Sequence, residues 1–211
     1  MPAMSIKPTP LIARYYLLAA ALLLALPSLM NMYAGHTGKL LVSSVKAELD
    51  PYFGRTVVYL FYHSGWGARG LILTRPFSAE QAQEVFGNLA HDIDPYFGGP
   101  VALSEHYVVE MKASAEGQKM REPLRVTPLE VFRENNPGQW DVILSGKDEG
   151  RFRIFAGYSG WGTFQLESEM RRGVWGVLDY DPMLYEAQPE KIWPMAIDRL
   201  LKRTDKDRGG A

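Results

Sequence analysis

The sequence TVVYLFYHSGWGARGLILT, residues 56–74, has the pattern of a β-hairpin. Two runs rich in Val, Leu, Ile and aromatic residues flank residues 64–67, whose two glycines favour a turn. Two strands joined by so short a turn pair antiparallel. Because the rest of the chain does not alternate regularly between strand and helix, we expect one α+β domain rather than a parallel βαβ fold.

Periodicity and turn residues predict further elements on both sides of this hairpin. Strands are predicted at residues 39–45, 55–62, 69–74, 107–111 and 151–156. Helices are predicted at residues 78–88, 127–134, 163–172 and 190–202. Ser78 with Gln81, and Thr127 with Glu130, have the spacing of a capping box at two helix starts. Gly173 is placed to end the third helix.

The N-terminal residues 1–37 have the composition of a signal or anchor segment. Residues 15–30, YYLLAAALLLALPSLM, carry no charge, and Lys7 and Arg14 precede them. Residues 11–30 are just long enough to span a bilayer, and the basic residues before them favour a cytoplasmic N-terminus. We therefore expect a membrane anchor with the domain in the periplasm.

Two other interpretations of this segment stay open. A cleaved signal peptide would be cut near Ala34, although Met32 is larger than the residue preferred at that place. Alternatively, Met30 or Met32 is the true start, and the protein is cytoplasmic. After the leader, residues 38–202 are predicted to form the domain and residues 203–211 a polar tail.

Charge, cysteine content and motifs exclude several functions. The formal net charge is −1 and basic residues alternate with acidic ones, so no nucleic-acid partner is expected. The absence of cysteine excludes disulfides and thiolate chemistry. Residues 65–70, GWGARG, match the G-x-G-x-x-G spacing, but a strand follows where a dinucleotide site needs a helix. No cofactor and no metal site are predicted.

The remaining residues suggest two functions of different kinds. Trp66, Tyr158 and Trp161 lie in glycine-rich turns, and we expect them to line a binding groove of a non-enzymatic module. The alternative is a hydrolase in which a histidine base and a carboxylate meet through folding. The candidates for that pair are His63 or His106 and Glu167 or Glu105.

Several ordered blocks after residue 38 resemble the bacterial YqgE/AlgH family. The first block is residues 38–42 (GKLLV), followed by Asp50, Pro51, Phe53, Arg55, Val57, Val58 and Tyr59, and then by His63, Gly67, Ala68, residues 70–73 (GLIL), Arg75 and Pro76. The second block is residues 98–101 (GGPV). The third is residues 157–162 (GYSGWG) with Gln165, Leu166, Glu167 and Glu169, followed by Trp175. No single block is specific to the family, but the whole set in this order is specific to it.

The resemblance implies a compact α+β fold with a branched, barrel-like sheet and no established enzymatic activity or cofactor. Some members carry a label as regulators of exopolysaccharide genes, which makes a transcriptional regulator a third hypothesis. This chain departs from the family in three places. The family usually has an Ala-Met-Pro stretch where residues 42–45 stand and an Asn where Thr74 stands, and it has no apolar leader. We predict an accessory or binding module at the cell envelope, with an unidentified protein or small ligand as its partner.

Overall fold

The computed structural model describes residues 14–16, 18–21, 35–91, 93–111, 123–148 and 151–209. Within these ranges the strands are β1 (Lys39–Ser43), β2 (Val57–Ser64), β3 (Gly67–Ile72), β4 (Pro95–Phe97), β5 (Val101–Glu110), β6 (Arg125–Pro128), β7 (Phe152–Trp161) and β8 (Trp175–Asp179). The helices after residue 35 are α1 (Ala79–Phe86), α2 (Leu129–Asn135), α3 (Pro137–Leu144), α4 (Gln165–Arg171), α5 (Pro182–Glu186) and α6 (Pro189–Gly209).

The strands form one sheet in the order β6-β5-β7-β3-β2-β1-β8, with β4 attached to β7. Strand β4 is parallel to β7, and the other pairs are antiparallel. The sheet branches at β7, because the first half of this strand contacts β4 and β5 and its end contacts β3. The predicted α+β fold with a branched, largely antiparallel sheet is therefore confirmed.

The barrel-like closure implied by the resemblance is wrong, because the sheet is open. A closed barrel would require β6 to pair with β8, and these strands stand at opposite ends of the order. Strand β6 has four residues and passes directly into α2, so it offers little backbone for a second ladder.

Alternation along the central strands divides the core between two faces of the sheet. Leu40 and Tyr59 pack on the face covered by α5 and α6. Leu41, Val58 and Leu60 pack on the other face, beneath α4. A third apolar cluster lies beneath α2 and α3, against β5 and β7.

The helix ends test the predicted caps. At α1, Ser78 Oγ accepts the N–H of Gln81 and the Gln81 side chain accepts the N–H of Ser78, which confirms the capping box. At α2 the predicted cap is wrong: Thr127 pairs with Val108 in the sheet and stays extended, so the helix begins after Pro128.

At the end of α4, the Gly173 N–H binds the carbonyl of Met170 and the Val174 N–H binds that of Glu169. Gly173 adopts a φ of 72°. These features form a Schellman motif, which confirms the predicted role of this glycine.

Prediction missed β4, β6, β8, α3 and α5, and it ended the last helix too early. Helix α6 continues to Gly209 and so crosses the predicted start of a tail at residue 203. Most of the predicted N-terminal segment lies outside the described residues; residues 14–16 and 18–21 are helical. Among the described residues, no helix has the length and apolarity needed to cross a membrane.

Candidate functional site

The structure does not bring Trp66, Tyr158 and Trp161 together in one groove. Tyr158 and Trp161 are three residues apart on β7, so their side chains point to opposite faces of the sheet. Trp161 is 5% exposed and belongs to the core beneath α4, whereas Trp66 is 57% exposed at the hairpin turn.

Trp161 has a structural partner in α4. One carboxylate oxygen of Glu169 accepts the indole N–H of Trp161 at 2.9 Å and that of Trp175 at 2.8 Å. The other oxygen accepts from Gln165 at 3.0 Å. A single carboxylate therefore fixes two indole rings, and this network explains Trp161 without a ligand.

Two segments with the same sequence, Ser-Gly-Trp-Gly, meet beside this network. The first follows β2 at residues 64–67, and the second ends β7 at residues 159–162. Thr163 Oγ1 donates to the carbonyl of Trp66 at 3.2 Å, and the Gln165 side chain accepts the N–H of Gly162 at 3.0 Å. These hydrogen bonds hold the exposed Trp66 turn against the start of α4.

A partly exposed row of side chains crosses four strands on the face opposite α4, with Tyr158 half-buried. Tyr62 of β2 pairs with Arg69 of β3, and Tyr158 of β7 pairs with Val101 of β5. The Arg69 guanidinium lies 4.9 Å from the centre of the Tyr158 ring, a cation–π contact that joins the two pairs. We call these four residues the Tyr-Arg strip. Of the three predicted groove residues, only Tyr158 belongs to the strip, and Trp66 lies at the hairpin turn that joins β2 to β3.

A β-bulge in β2 brings His63 next to Glu167, which forms a second candidate site. The ladder with β3 shifts register between Leu60 and Tyr62. Residues three apart on a regular strand face opposite sides, and the extra residue returns His63 to the side of Leu60. His63 Nε2 and Glu167 Oε1 of α4 are 2.9 Å apart, with side-chain exposures of 1% and 11%. One of the pairs proposed for a hydrolase is thus brought together.

The surroundings of His63 are aromatic and basic. The His36 ring stacks on the His63 ring at a centroid distance of 5.3 Å. The Nδ1 atoms of both rings are buried without a hydrogen-bond partner. Burial lowers the pKa of His36, as do the neighbouring His63 and Lys39, and Glu167 acts in the opposite direction.

The other candidates for a hydrolase site, His106 and Glu105, each have a different partner. The Glu105 carboxylate accepts the hydroxyl of Tyr107 at 2.6 Å, and burial together with this bond raises the pKa of Tyr107. His106 stacks on Phe86 at 4.4 Å, and burial lowers the pKa of His106. Among the described residues, no group of three or more acidic or histidine side chains is arranged to hold a metal ion.

A family model described as AlgH-like (DUF179) matches residues 40–204, which is most of the chain. The chain belongs to the AlgH-like family. A UPF0301 protein of Streptomyces avermitilis is 34% identical over 182 residues, which cover 81% of this chain and 89% of that protein. The UPF0301 protein MCA0413 1 of Methylococcus capsulatus is 28% identical over 181 residues, with coverages of 81% and 94%.

A solved structure supports the same assignment. The solution structure of the AlgH protein from Pseudomonas aeruginosa has a TM-score of 0.57 and 25% identity. The match covers 80% of this chain and 89% of that one. In this AlgH-like domain, four residues of α4 have defined contacts: Gln165 accepts the N–H of Gly162, Leu166 packs in the core, Glu167 contacts His63 and Glu169 accepts from two indoles.

Proposed function

We propose that this AlgH-like chain is a non-enzymatic binding module that contacts a protein partner through the Tyr-Arg strip. The observation that carries the proposal is the placement of Tyr62, Arg69 and Tyr158 side by side on adjacent strands. Tyr62 is 46% exposed, and Trp66 at the adjoining turn is also exposed. Tyr, Trp and Arg dominate the binding energy of protein interfaces because they combine a large apolar area with a polar group.

The charge of the strip indicates the chemistry of the partner. Arg69 is exposed and makes no ion pair with the residues that the structure describes, and its guanidinium is held in place over the Tyr158 ring. A carboxylate could bind it with two parallel hydrogen bonds. Tyr62 and Val101 supply apolar area on either side. We therefore propose a partner segment in which an apolar side chain accompanies an Asp or Glu.

Backbone conformation next to the strip also supports a binding role. Ala102 has a φ of 49°, in the left-handed region that residues other than glycine rarely adopt. It follows Val101 directly, at a register shift in β5 between Val101 and His106. Such conformations cost about 1–3 kcal/mol each and concentrate at functional sites.

Matched variants test the proposal. Tyr62→Ala and Arg69→Ala are compared with Tyr52→Ala and Arg133→Ala in a quantitative pull-down from the native host. Tyr52 is 49% exposed, and Arg133 lies 5.3 Å from the centre of the Trp140 ring, so the controls reproduce both side-chain settings elsewhere. We expect a partner that is lost about tenfold with the strip variants and kept with the controls, a change of about 1.4 kcal/mol. Equal recovery with all four variants would refute the strip.

One observation favours the enzyme alternative, namely the 2.9 Å contact between His63 and Glu167. A general base has to reach the proton of a substrate, directly or through one water. His63 is almost fully enclosed, so α4 would have to move away before a substrate could approach. The test is an esterase and amidase panel with wild type and His63→Gln: activity lost with this variant would support a hydrolase, whereas unchanged background rates would support the binding module.

The location at the cell envelope rests on the sequence of residues 11–30 and remains a proposal. The experiment is the intact mass of C-terminally tagged protein in membrane, periplasmic and cytosolic fractions. Retention of residue 1 in the membrane fraction would support an anchored module. A soluble periplasmic product that begins near Gly35 would indicate cleavage, and a cytosolic product that begins at Met30 or Met32 would refute the envelope location.

A further inference from the structure

A small cavity that is partly open to solvent lies between one end of the β1–β8 pair and the C-terminal half of α6. Its volume is about 250 Å³. Its apolar wall is formed by Val177, Leu178 and Leu200. No residue of the Tyr-Arg strip lines it, so it is a separate site.

The polar lining of this cavity is mainly basic. His36, Lys39 and Arg203 face one acidic residue, Asp179. Thr204 also lines the cavity, and its hydroxyl donates to the carbonyl of Leu200 within α6. Asp179 Oδ1 lies 3.4 Å from Lys39 Nζ, but the Asp179 side chain is 77% exposed. An ion pair that is so exposed is weak. The cavity therefore has an excess of positive charge beside an apolar wall.

Burial is the largest influence on the pKa of His36, and the charges near it act in addition. Burial, His63 and Lys39 lower the pKa of His36, and the carboxylate of Glu167 opposes them without cancelling their effect. A bound negative charge at the cavity would favour the protonated ring.

We propose that this cavity binds a small organic anion, with its carboxylate at Lys39 and Arg203 and a short apolar body against Leu178 and Leu200. Charge-assisted hydrogen bonds fix the head group, and burial of methylene groups supplies affinity that an inorganic anion cannot gain. A body of a few carbon atoms beyond the carboxylate suits a site of this volume.

The experiment is a calorimetric and NMR titration of the full chain with acetate, butanoate and hexanoate, and with inorganic phosphate. Each added methylene group should tighten binding about fourfold until the cavity is filled, as follows from the transfer free energy per methylene. Phosphate should bind more weakly than hexanoate. No binding, or equal binding of acetate and hexanoate, would overturn the proposal.

Charge variants locate the site. Lys39→Met and Arg203→Met should each weaken hexanoate binding about tenfold. The control is Lys202→Met: Lys202 is the exposed neighbour of Arg203 and is bonded to Asp198. An equal loss with the control would show that general surface charge, rather than the cavity, attracts the anion.

The His36 resonances give a local readout that general surface binding would not move. The charged groups that face this ring are Lys39, His63 and Glu167, together with Asp179 and Arg203 across the cavity. A bound carboxylate should raise the pKa of His36, and hexanoate affinity should consequently increase as the pH falls through the pKa that His36 has in the complex. An unchanged His36 titration in saturating hexanoate would place the anion elsewhere.

Discussion

Glu167→Ala in α4 should lower the stability of this domain far more than an exposed Glu→Ala change. Its carboxylate is 2.9 Å from His63 Nε2, and both side chains are nearly enclosed. Removing one partner of a buried polar pair leaves the other without a hydrogen bond in a region that water does not reach. That loss costs about 3 kcal/mol.

The energy of the contact itself is smaller than the cost of either truncation. A hydrogen bond to a charged group contributes about 2 kcal/mol. A double-mutant cycle with His63→Ala, Glu167→Ala and the double variant should therefore give a coupling energy near 2 kcal/mol. Glu167→Gln keeps a hydrogen-bonding group at the site and should cost about half as much as Glu167→Ala.

Urea unfolding, followed by tryptophan fluorescence and circular dichroism, measures these differences. With a slope of about 2 kcal/mol/M, Glu167→Ala should lower the midpoint by about 1.5 M. The matched control is Glu48→Ala, because Glu48 pairs with Arg55 at the surface and should contribute less than about 1 kcal/mol. A coupling energy below about 0.5 kcal/mol would show that the pair does not hold α4 on the sheet.

Four other perturbations follow from the structure. Glu169→Ala removes the acceptor of two indole N–H groups and should cost about 3 kcal/mol in urea unfolding, so a loss below about 1 kcal/mol would contradict the network. Gly157→Ala should cost at least ~2 kcal/mol, because φ is 66° and the added Cβ would lie 2.5 Å from the Gly99 carbonyl oxygen; an unchanged midpoint would refute that contact. The pKa of His106 is lowered by burial, so the unfolded chain binds its proton more readily and stability should fall as the pH drops below about 6.5; His106→Phe should reduce this fall in melting temperature, and an identical profile would exclude His106 as its source. Ser78→Ala should cost about 1 kcal/mol through the capping box of α1, and no change in urea midpoint would mean that this cap is not needed.

Sequence reasoning succeeded where local chemistry determines the structure. The hairpin of residues 56–74, the capping box at Ser78 and the turn at Gly173 depend on residues within a few positions of one another. The predicted cap at Thr127 failed because pairing with β5 overrides a local preference. Short strands such as β4 carry too few residues for a periodic signal.

The site was harder to predict because its geometry depends on one irregularity. Local spacing gave no sign that His63 and Glu167 would meet, since they are 104 positions apart. The bulge between Leu60 and Tyr62 decides which face His63 occupies, and no residue in that stretch marks it. The same alternation, applied to β7, would have shown that Tyr158 and Trp161 point to opposite faces and cannot line one groove.

The two repeated tetrapeptides are explained by their contact in space. Gly67, in the first Ser-Gly-Trp-Gly turn, has a φ of 148°, and an added Cβ would lie 2.4 Å from the carbonyl oxygen of Trp161 in the second. The Trp66 carbonyl in turn accepts the Thr163 hydroxyl. The first segment therefore needs glycine at position 67, where the Trp161 carbonyl approaches, and a carbonyl at Trp66 that can accept the Thr163 hydroxyl. The shared sequence of the two segments is explained by this mutual packing.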